Sequence, residues 1–223
     1  MKEKLLGYAR KNPKVWLLMY IPVYLIWFVI VEHLVVEDYY VSYLPLDDRI
    51  PFVPFFTAFY VMWYPYLLIP VFYLYFKDAR AFVRHGVYLA ISLSVCLGTY
   101  MVFPNGQDLR PEDTGGGFWG WLLDMLYAAD TNTNVLPSMH VVTCIGTSIA
   151  AFDSERMRKV RWPVLILGVL ISASTVLVKQ HSILDVIWAA VLGAAVALCV
   201  YALPLIIKNG TGRRGKPSQH MHP

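Results

Sequence analysis

Long apolar stretches, separated by short polar ones, dominate the chain from residue 15 onward. No alternation of apolar and polar residues with a period of two persists along them, which argues against a membrane β-barrel. A helix that spans a bilayer needs about 20 predominantly apolar residues. We therefore predict six membrane-spanning helices, over residues 15–36, 54–76, 82–103, 138–152, 162–178 and 183–207.

Composition supports the same structural class. Hydrophobic residues make up 57% of the 223 residues and charged residues only 15%, whereas soluble domains have about 45–50% and about 25%. We predict an all-α, polytopic membrane protein in which residues 1–207 form one integral membrane domain. Residues 208–223 are polar and rich in glycine, which is typical of a disordered tail.

Basic residues are distributed unevenly between the two sides of a six-span bundle. Sixteen of the 19 Lys and Arg residues fall in the tails and the even-numbered loops, whereas Arg49, Arg110 and Lys179 fall on the other side. The positive-inside rule places the basic side, with both termini, in the cytoplasm of a multi-pass cell-membrane protein. The net charge of +4 then indicates contact with anionic lipid head groups rather than with nucleic acid.

The longest loop, residues 104–137, lies on the outer side in this topology. Three consecutive glycines, Gly115 to Gly117, precede an amphipathic stretch over residues 118–127 that is rich in aromatic side chains. Such a stretch is typical of a helix that lies in the membrane interface. A loop of this length without a function is uncommon, so we predict that it contributes to a site on the outer side.

Two histidines stand where polar residues of the outer side meet apolar helices. His140 follows Pro137 and Ser138, residue types typical of a helix start, where free backbone N–H groups attract anions. His181 is followed four residues later by Asp185, so a helix would place the carboxylate beside the imidazole. A carboxylate on one ring nitrogen fixes the tautomer and makes the other nitrogen a better nucleophile.

Further side chains in these segments suit a phosphate group. Arg110 offers a planar fork of donors that matches phosphate oxygens, and Lys179 offers a point charge. With Ser138, Met139 and Ser174 they form the predicted phosphate-binding set. Ser138 also fits a simple helix cap, and Ser174 can bond its own backbone, so each has a structural alternative. A metal held by the two histidines and an acid is a further alternative, but the two cations would repel it, so we expect no metal and no cofactor.

Taken in chain order, these segments resemble the three signatures of the type 2 phosphatidic acid phosphatase superfamily, which read KxxxxxxRP, PSxH and SRxxxxxHxxxD. Arg110-Pro111 matches the end of the first, Pro137-Ser138-Met139-His140 matches the second, and residues 174–185 match most of the third. The resemblance covers roughly residues 50–207, with the signature residues between 110 and 185.

The resemblance implies a role for each of the central residues. His181 would be the nucleophile that forms a phosphohistidine, and Asp185 would orient it. His140 would protonate the leaving group, while Arg110 and Ser138 would hold the phosphate. Members of this superfamily use no metal.

Two positions depart from the signatures. Phe103 stands where the first signature has its lysine, and Thr175 stands where the third has its arginine. A cation close before the nucleophile, here Lys179, also resembles the sphingolipid-synthase branch, whose members pass a head group to a lipid alcohol instead of water.

These patterns predict a lipid phosphate phosphatase that acts on the extracytoplasmic face, on a substrate of the phosphatidate or polyprenyl diphosphate type. One alternative is a lipid head-group phosphotransferase, which needs a lipid alcohol as acceptor. Another is a catalytically silent membrane scaffold, since two expected cations are missing. The expected partners are a phosphorylated lipid and the surrounding membrane lipids, and the sequence leaves the oligomeric state open.

Overall fold

The computed structural model describes residues 12–34 and 38–202, and most of them are helical. The predicted tail over residues 208–223 and the last part of the sixth predicted span lie outside the described residues. The helices are α1 Val15–Leu18, α2 Tyr20–Glu32, α3 Thr57–Val61, α4 Trp63–Lys77, α5 Ala79–Val102, α6 Gly117–Ala129, α7 Met139–Asp153, α8 Arg161–Leu177 and α9 Ile183–Ala197. Short 3-10 turns cover Asp47–Arg49, Pro54–Phe56 and Glu155–Met157, and a π turn, Leu198–Ala202, follows α9.

Four segments of the described chain are long and apolar enough to cross a membrane: Val15–Glu32, Pro54–Lys77, Ala79–Val102 and Ile183–Ala202. Helices α7 and α8 are also apolar but have only 15 and 17 residues. At about 1.5 Å per residue they are shorter than a hydrocarbon core of about 30 Å. The helical class is therefore confirmed, whereas the count of six spans remains a prediction.

The observed helices differ from the predicted spans at two boundaries and at one break within a span. The first helical segment ends at Glu32 instead of residue 36, and α5 begins at Ala79 instead of residue 82 because Asp78 caps it by accepting the N–H of Ala81 at 3.1 Å. The second span is broken between α3 and α4, where Pro65 has no N–H to bond the carbonyl four residues earlier.

Helix α7 is the central helix of the bundle and packs against α4, α5, α8 and α9. The ring of Tyr88 on α5 lies directly against Gly146, where any Cβ would collide with it. Tyr66 on α4 donates its hydroxyl to the carbonyl of Cys144 at 3.3 Å and lies 3.1 Å from the hydroxyl of Ser148. These contacts fix the position of α7, and with it the positions of the residues in its first turn.

Two long connections meet at the end of the bundle where α7 and α9 begin. The first connection leads from α2 to α3, and its described part next to α3 is residues 38–56. The second connection is residues 103–138, between α5 and α7, and contains α6. A two-residue strand, β1 (Tyr40–Val41), pairs in parallel with a second, β2 (Asn105–Gly106). The side-chain oxygen of Asn105 then accepts the N–H groups of Val135 and Leu136 at 2.9 and 2.7 Å. The first connection is thereby tied to the second, and the second to the entrance of α7.

Helix α6 occupies the amphipathic stretch of the long connection. The three glycines before and at its start, Gly115 to Gly117, all have positive φ angles of 86°, 63° and 64°, a region that favours glycine. Leu123 and Leu126 of α6 are buried in a cluster with Tyr60 and Val178. The helix therefore packs on the bundle through its apolar face, and its location in a membrane interface remains a prediction.

Candidate active site

The two histidines singled out from the sequence lie side by side. The ring centroids of His140 and His181 are 5.8 Å apart, and the ring planes are inclined by 63°. His140 lies in the first turn of α7, and His181 lies two residues before α9 begins. The structure therefore brings the PSxH and HxxxD segments together at one end of the bundle.

His181 is bound to the acid that follows it. Its Nδ1 lies 3.2 Å from Oδ2 of Asp185, whose side chain is fully buried. The same Oδ2 accepts the N–H of Ser182 at 2.9 Å, and Oδ1 accepts the hydroxyl of Ser42. Because the carboxylate engages Nδ1, Nε2 of the imidazole is the nitrogen left for chemistry.

The N-terminus of α9 explains why Asp185 is held so firmly. Ser182 and Asp185 form a capping box, a reciprocal pair of side-chain and backbone hydrogen bonds that satisfies N–H groups of the first turn. Asp47 of the first connection adds a second acceptor: it binds the hydroxyl of Ser182 at 2.6 Å and the N–H of Ile183 at 2.8 Å. Asp185 thus takes part both in the cap of α9 and in the hydrogen bond to His181.

His140 is enclosed by aromatic rings. The centroids of Tyr60 and Trp63 lie 4.3 and 4.4 Å from the imidazole centroid, and Trp63 is held by a hydrogen bond of 2.8 Å to the hydroxyl of Thr143. His140 is only 9% exposed, and its Nε2 is buried without a hydrogen-bond partner. An unpaired buried nitrogen costs free energy, so a bound group that pairs with it would be stabilised.

A cavity of about 510 Å³ begins at the two histidines. Asp130 and Gln180 line it beside His140 and His181. The rest of the wall is mainly apolar and aromatic and comes largely from α1, α2, α4 and α5, with smaller parts from α3, α6 and the segment between α6 and α7. The arrangement is a polar end joined to an apolar chamber between the helices.

Arg110 is close to the site but is bound to protein groups. Its Nε donates to the side-chain oxygen of Gln180 at 2.8 Å, and Nη2 donates to the carbonyls of Asp130 and Thr131 at 2.6 and 2.7 Å. Its guanidinium also lies 4.3 Å from the ring centroid of Tyr127. In this structure Arg110 joins the second connection to the residue before His181 and does not line the cavity.

Lys179 is bound to protein groups as well. Its Nζ donates to the carbonyls of Asp47 and Ile50, each at 2.8 Å. The backbone of Lys179 has a φ of 54°, a conformation uncommon for a residue with a side chain. The lysine therefore fastens the first connection to the segment that leads into His181.

The remaining predicted phosphate ligands are Ser138, Met139 and Ser174, and their role in binding phosphate remains a prediction. Ser174 donates its hydroxyl to the carbonyl of Ile171 at 2.6 Å, the backbone alternative for that residue. Ser138 is buried and caps α7 by accepting the N–H of Val141 at 3.5 Å. Met139 lines the cavity.

Five residues at the site are not predicted from the sequence, and four of them reach the two histidine segments only through contacts between distant parts of the chain. Gln180 was distinguishable only by its place next to His181, and no spacing relates the others to a motif. They are Ser42, Asp47, Tyr60, Asp130 and Gln180. Within residues 12–34 and 38–202, no group of three His, Cys, Asp or Glu side chains is placed to hold a metal ion.

Residues 104–207 match the family model described as the PAP2 superfamily. The match begins just before β2, contains all the signature residues of the two histidine segments, and ends beyond α9. No curated protein and no solved structure matches the chain. The resemblance predicted from the signatures is therefore confirmed, while the sphingolipid-synthase branch stays a prediction.

Proposed function

We propose, from the premise that residues 104–207 belong to the PAP2 superfamily, that this protein is a membrane enzyme that cleaves the phosphate ester of a lipid. Members of the superfamily are generally phosphatases or phosphotransferases, and the apolar helices support a membrane location. The observation that carries the proposal is the meeting of His140 with the His181–Asp185 pair at one end of an apolar cavity.

The geometry supports a two-step reaction. Nε2 of His181 attacks phosphorus, the bond from phosphorus to the lipid oxygen breaks, and His140 donates a proton to that oxygen. Asp185 accepts a hydrogen bond from Nδ1 and stabilises the positive charge that develops on the ring. In the second step His140 takes a proton from water, the resulting hydroxide attacks phosphorus, and phosphate leaves His181.

The cavity supports a lipid as the substrate. Its chamber is lined by side chains such as Leu17, Phe28, Leu67 and Leu93, which offer no polar groups to a water-soluble compound. A hydrocarbon chain suits such a wall, because it brings no polar group that would be left there without a hydrogen bond. A lipid phosphate of the phosphatidate or polyprenyl diphosphate type fits this division, with its ester at the histidines and its chain in the chamber. By the charge distribution, the site faces the extracytoplasmic side.

The test uses the purified full chain in lipid nanodiscs with a panel of lipid phosphates. We expect release of phosphate by the unchanged protein and none above background by His181→Ala. His33→Ala is the matched control, since His33 is exposed and bonds only a backbone carbonyl at the end of α2. Equal phosphate release by the unchanged protein and the His181 variant would contradict the proposal.

A second candidate is a head-group phosphotransferase, in which a lipid alcohol replaces water in the second step. One observation favours this candidate. Arg110 and Lys179 donate to backbone carbonyls, and no Lys or Arg is among the described residues that line the cavity. Product that forms only when diacylglycerol or ceramide is added would support transfer. Failure to trap labelled phosphate on His181 with any donor would instead support a catalytically silent scaffold.

A further inference from the structure

The polar end of the cavity is acidic. Among the described residues, the charged side chains that line the cavity are Glu32 and Asp130, accompanied by the two histidines and by no Lys or Arg. The nearest cation, Arg110, donates to carbonyls and to Gln180 outside the lining. A site for a phosphate group ordinarily offers cations. The presence of carboxylates in place of cations therefore indicates that the ligand itself carries a positive charge.

Asp130 is linked by hydrogen bonds to a neighbour of each histidine. Its Oδ2 accepts the hydroxyl of Tyr60 at 2.6 Å and the amide of Gln180 at 3.1 Å. The ring of Tyr60 lies 4.3 Å from that of His140 between centroids, and Gln180 precedes His181 in the chain. Both bonds end on the same oxygen, which leaves Oδ1 available to a ligand. Burial raises the pKa of Asp130 from its ordinary value.

Glu32 lies at the same end of the cavity. Its side chain accepts the N–H and the hydroxyl of Thr131 and the amide of Asn134, the latter at 3.1 Å. It therefore holds the turn that follows Asp130 and adds a second carboxylate to the wall. The rings of Tyr24 and Tyr64 line the same cavity, and aromatic faces attract cations.

Charge decides what can occupy this end. In an apolar surrounding, charges interact more strongly than in water, so two carboxylates raise the free energy of a phosphate that brings only negative charge. A cation carried by the same molecule offsets that cost, because it pairs with a carboxylate while the phosphate meets the histidines. The unpaired Nε2 of His140 at this end is free to form a hydrogen bond with a ligand.

We infer that the substrate is a phosphate ester that carries an ammonium group close to its phosphorus, and that Asp130 binds that ammonium. The inference rests on the proposed function and names the chemistry of its substrate. Two kinds of lipid share this chemistry: a phosphate monoester of a long-chain amino alcohol, and a phosphodiester with an amino-alcohol head group. In both, the chain lies in the apolar chamber.

The experiment compares matched donors in nanodiscs of neutral lipid. Sphingosine phosphate against ceramide phosphate tests a monoester with and without the ammonium, and phosphatidylethanolamine against phosphatidylglycerol tests a diester in the same way. We expect kcat/KM to favour the ammonium member of one pair by about tenfold or more, the size of one charge-assisted hydrogen bond. The pair that shows the preference identifies the source.

Asp130→Asn should reduce that preference to near unity, mainly through KM for the ammonium donor, because the amide keeps an acceptor for Tyr60 but loses the charge. Asp124→Asn is the matched control, since Asp124 lies on α6, accepts only the hydroxyl of Thr114 at 2.8 Å and does not line the cavity. An equal loss on all four donors would assign Asp130 a structural role and overturn the inference.

Recognition is also measured without turnover, by binding of the four lipids to the His181→Ala variant, followed through the change in total tryptophan fluorescence, to which Trp63 in the cavity wall contributes. Tighter binding of an ammonium member, lost on addition of Asp130→Asn, supports the inference even if no donor is turned over. Turnover without any ammonium preference overturns the inference and leaves the proposed function standing. Absence of turnover with selective binding contradicts the proposed function alone, and absence of selectivity in both measurements overturns the inference.

Discussion

The hydroxyl of Ser42 donates a hydrogen bond to Oδ1 of Asp185, although the two residues are 143 positions apart in the chain. The other oxygen of the same carboxylate is bound by His181 and by the N–H of Ser182. The orientation of the acid therefore depends on a residue outside the segment that matches the family model. Ser42 acts through Asp185 and is a positioning residue in the proposed mechanism.

Replacement of Ser42 by alanine removes one hydrogen bond to a buried carboxylate, a contribution of about 1.5–3 kcal/mol. We expect kcat to fall by about tenfold or more with KM nearly unchanged, because Ser42 does not line the cavity. Ser42→Thr should restore most of kcat, since it keeps the hydroxyl. Initial rates over a range of lipid concentrations measure both constants, and an unchanged kcat in Ser42→Ala would contradict the positioning role.

Asp47 should matter for stability. Its buried carboxylate accepts the hydroxyl of Ser182, the N–H of Ile183 and the N–H of Leu44, and an asparagine there would turn an amide donor toward at least one of these donors. We expect Asp47→Asn to lower the free energy of unfolding by about 1–3 kcal/mol. Thermal unfolding in detergent measures the change.

The neighbouring acid supplies the control for that experiment. Asp48 accepts the hydroxyl of Tyr43 at 2.6 Å in an exposed position. Asp48→Asn should change stability by less than about 0.5 kcal/mol, as most surface substitutions do. Equal destabilisation by the two variants would show that the buried cap of α9 is not what Asp47 contributes.

His140→Ala tests proton donation to the leaving oxygen. A general acid contributes about 10²- to 10⁴-fold to the rate, and the contribution shrinks when the leaving group needs no proton. We expect a large loss of kcat with an alkyl phosphate ester and a much smaller one with a nitrophenyl phosphate ester. A stopped assay with both esters, run beside His181→Ala as a variant that fails on each, separates the two roles. The same loss on both esters would argue against His140 as the proton donor.

Gly146 and Gly98 form a matched pair of helix glycines. A Cβ at Gly146 would collide with the ring of Tyr88, whereas a Cβ at Gly98 meets nothing within 4 Å. Gly146→Ala should therefore cost about 1–3 kcal/mol through forced displacement of the ring. Gly98→Ala should be neutral or stabilising, since alanine favours a helix by up to about 1 kcal/mol over glycine. Unfolding midpoints of the two variants in one detergent check the contrast.

The apolar pattern predicts most of the helices because a helix in lipid needs a long apolar run, and such runs are visible in the chain. It places α7 and α8 within one residue of their observed ends. It misses the start of α5, because Arg80 lies in the first turn of that helix, directly after Lys77 and Asp78, and these charged residues are typical of a polar loop. Charged side chains at a helix end are compatible with the helix but interrupt the apolar run.

The site is predictable only where local spacing sets the geometry. The pair His181 and Asp185 is four residues apart, so a helix turn brings the two side chains together, as observed. Arg110 and Lys179 could be chosen from the sequence for their charge, but their partners are backbone carbonyls at distant positions that no spacing encodes. The same limit applies to Asp130, whose contacts form only when α3 and the second connection meet.

The hydrogen bonds between the first connection and the start of α9 determine which residues an engineered fragment has to include. A fragment made of residues 104–207 alone would lack the hydroxyl of Ser42 and the carboxylate of Asp47, which bind Asp185 and Ser182 at the start of α9. A designed bundle that receives the proposed catalytic residues should also receive residues 38–50, as a second, non-contiguous piece of chain.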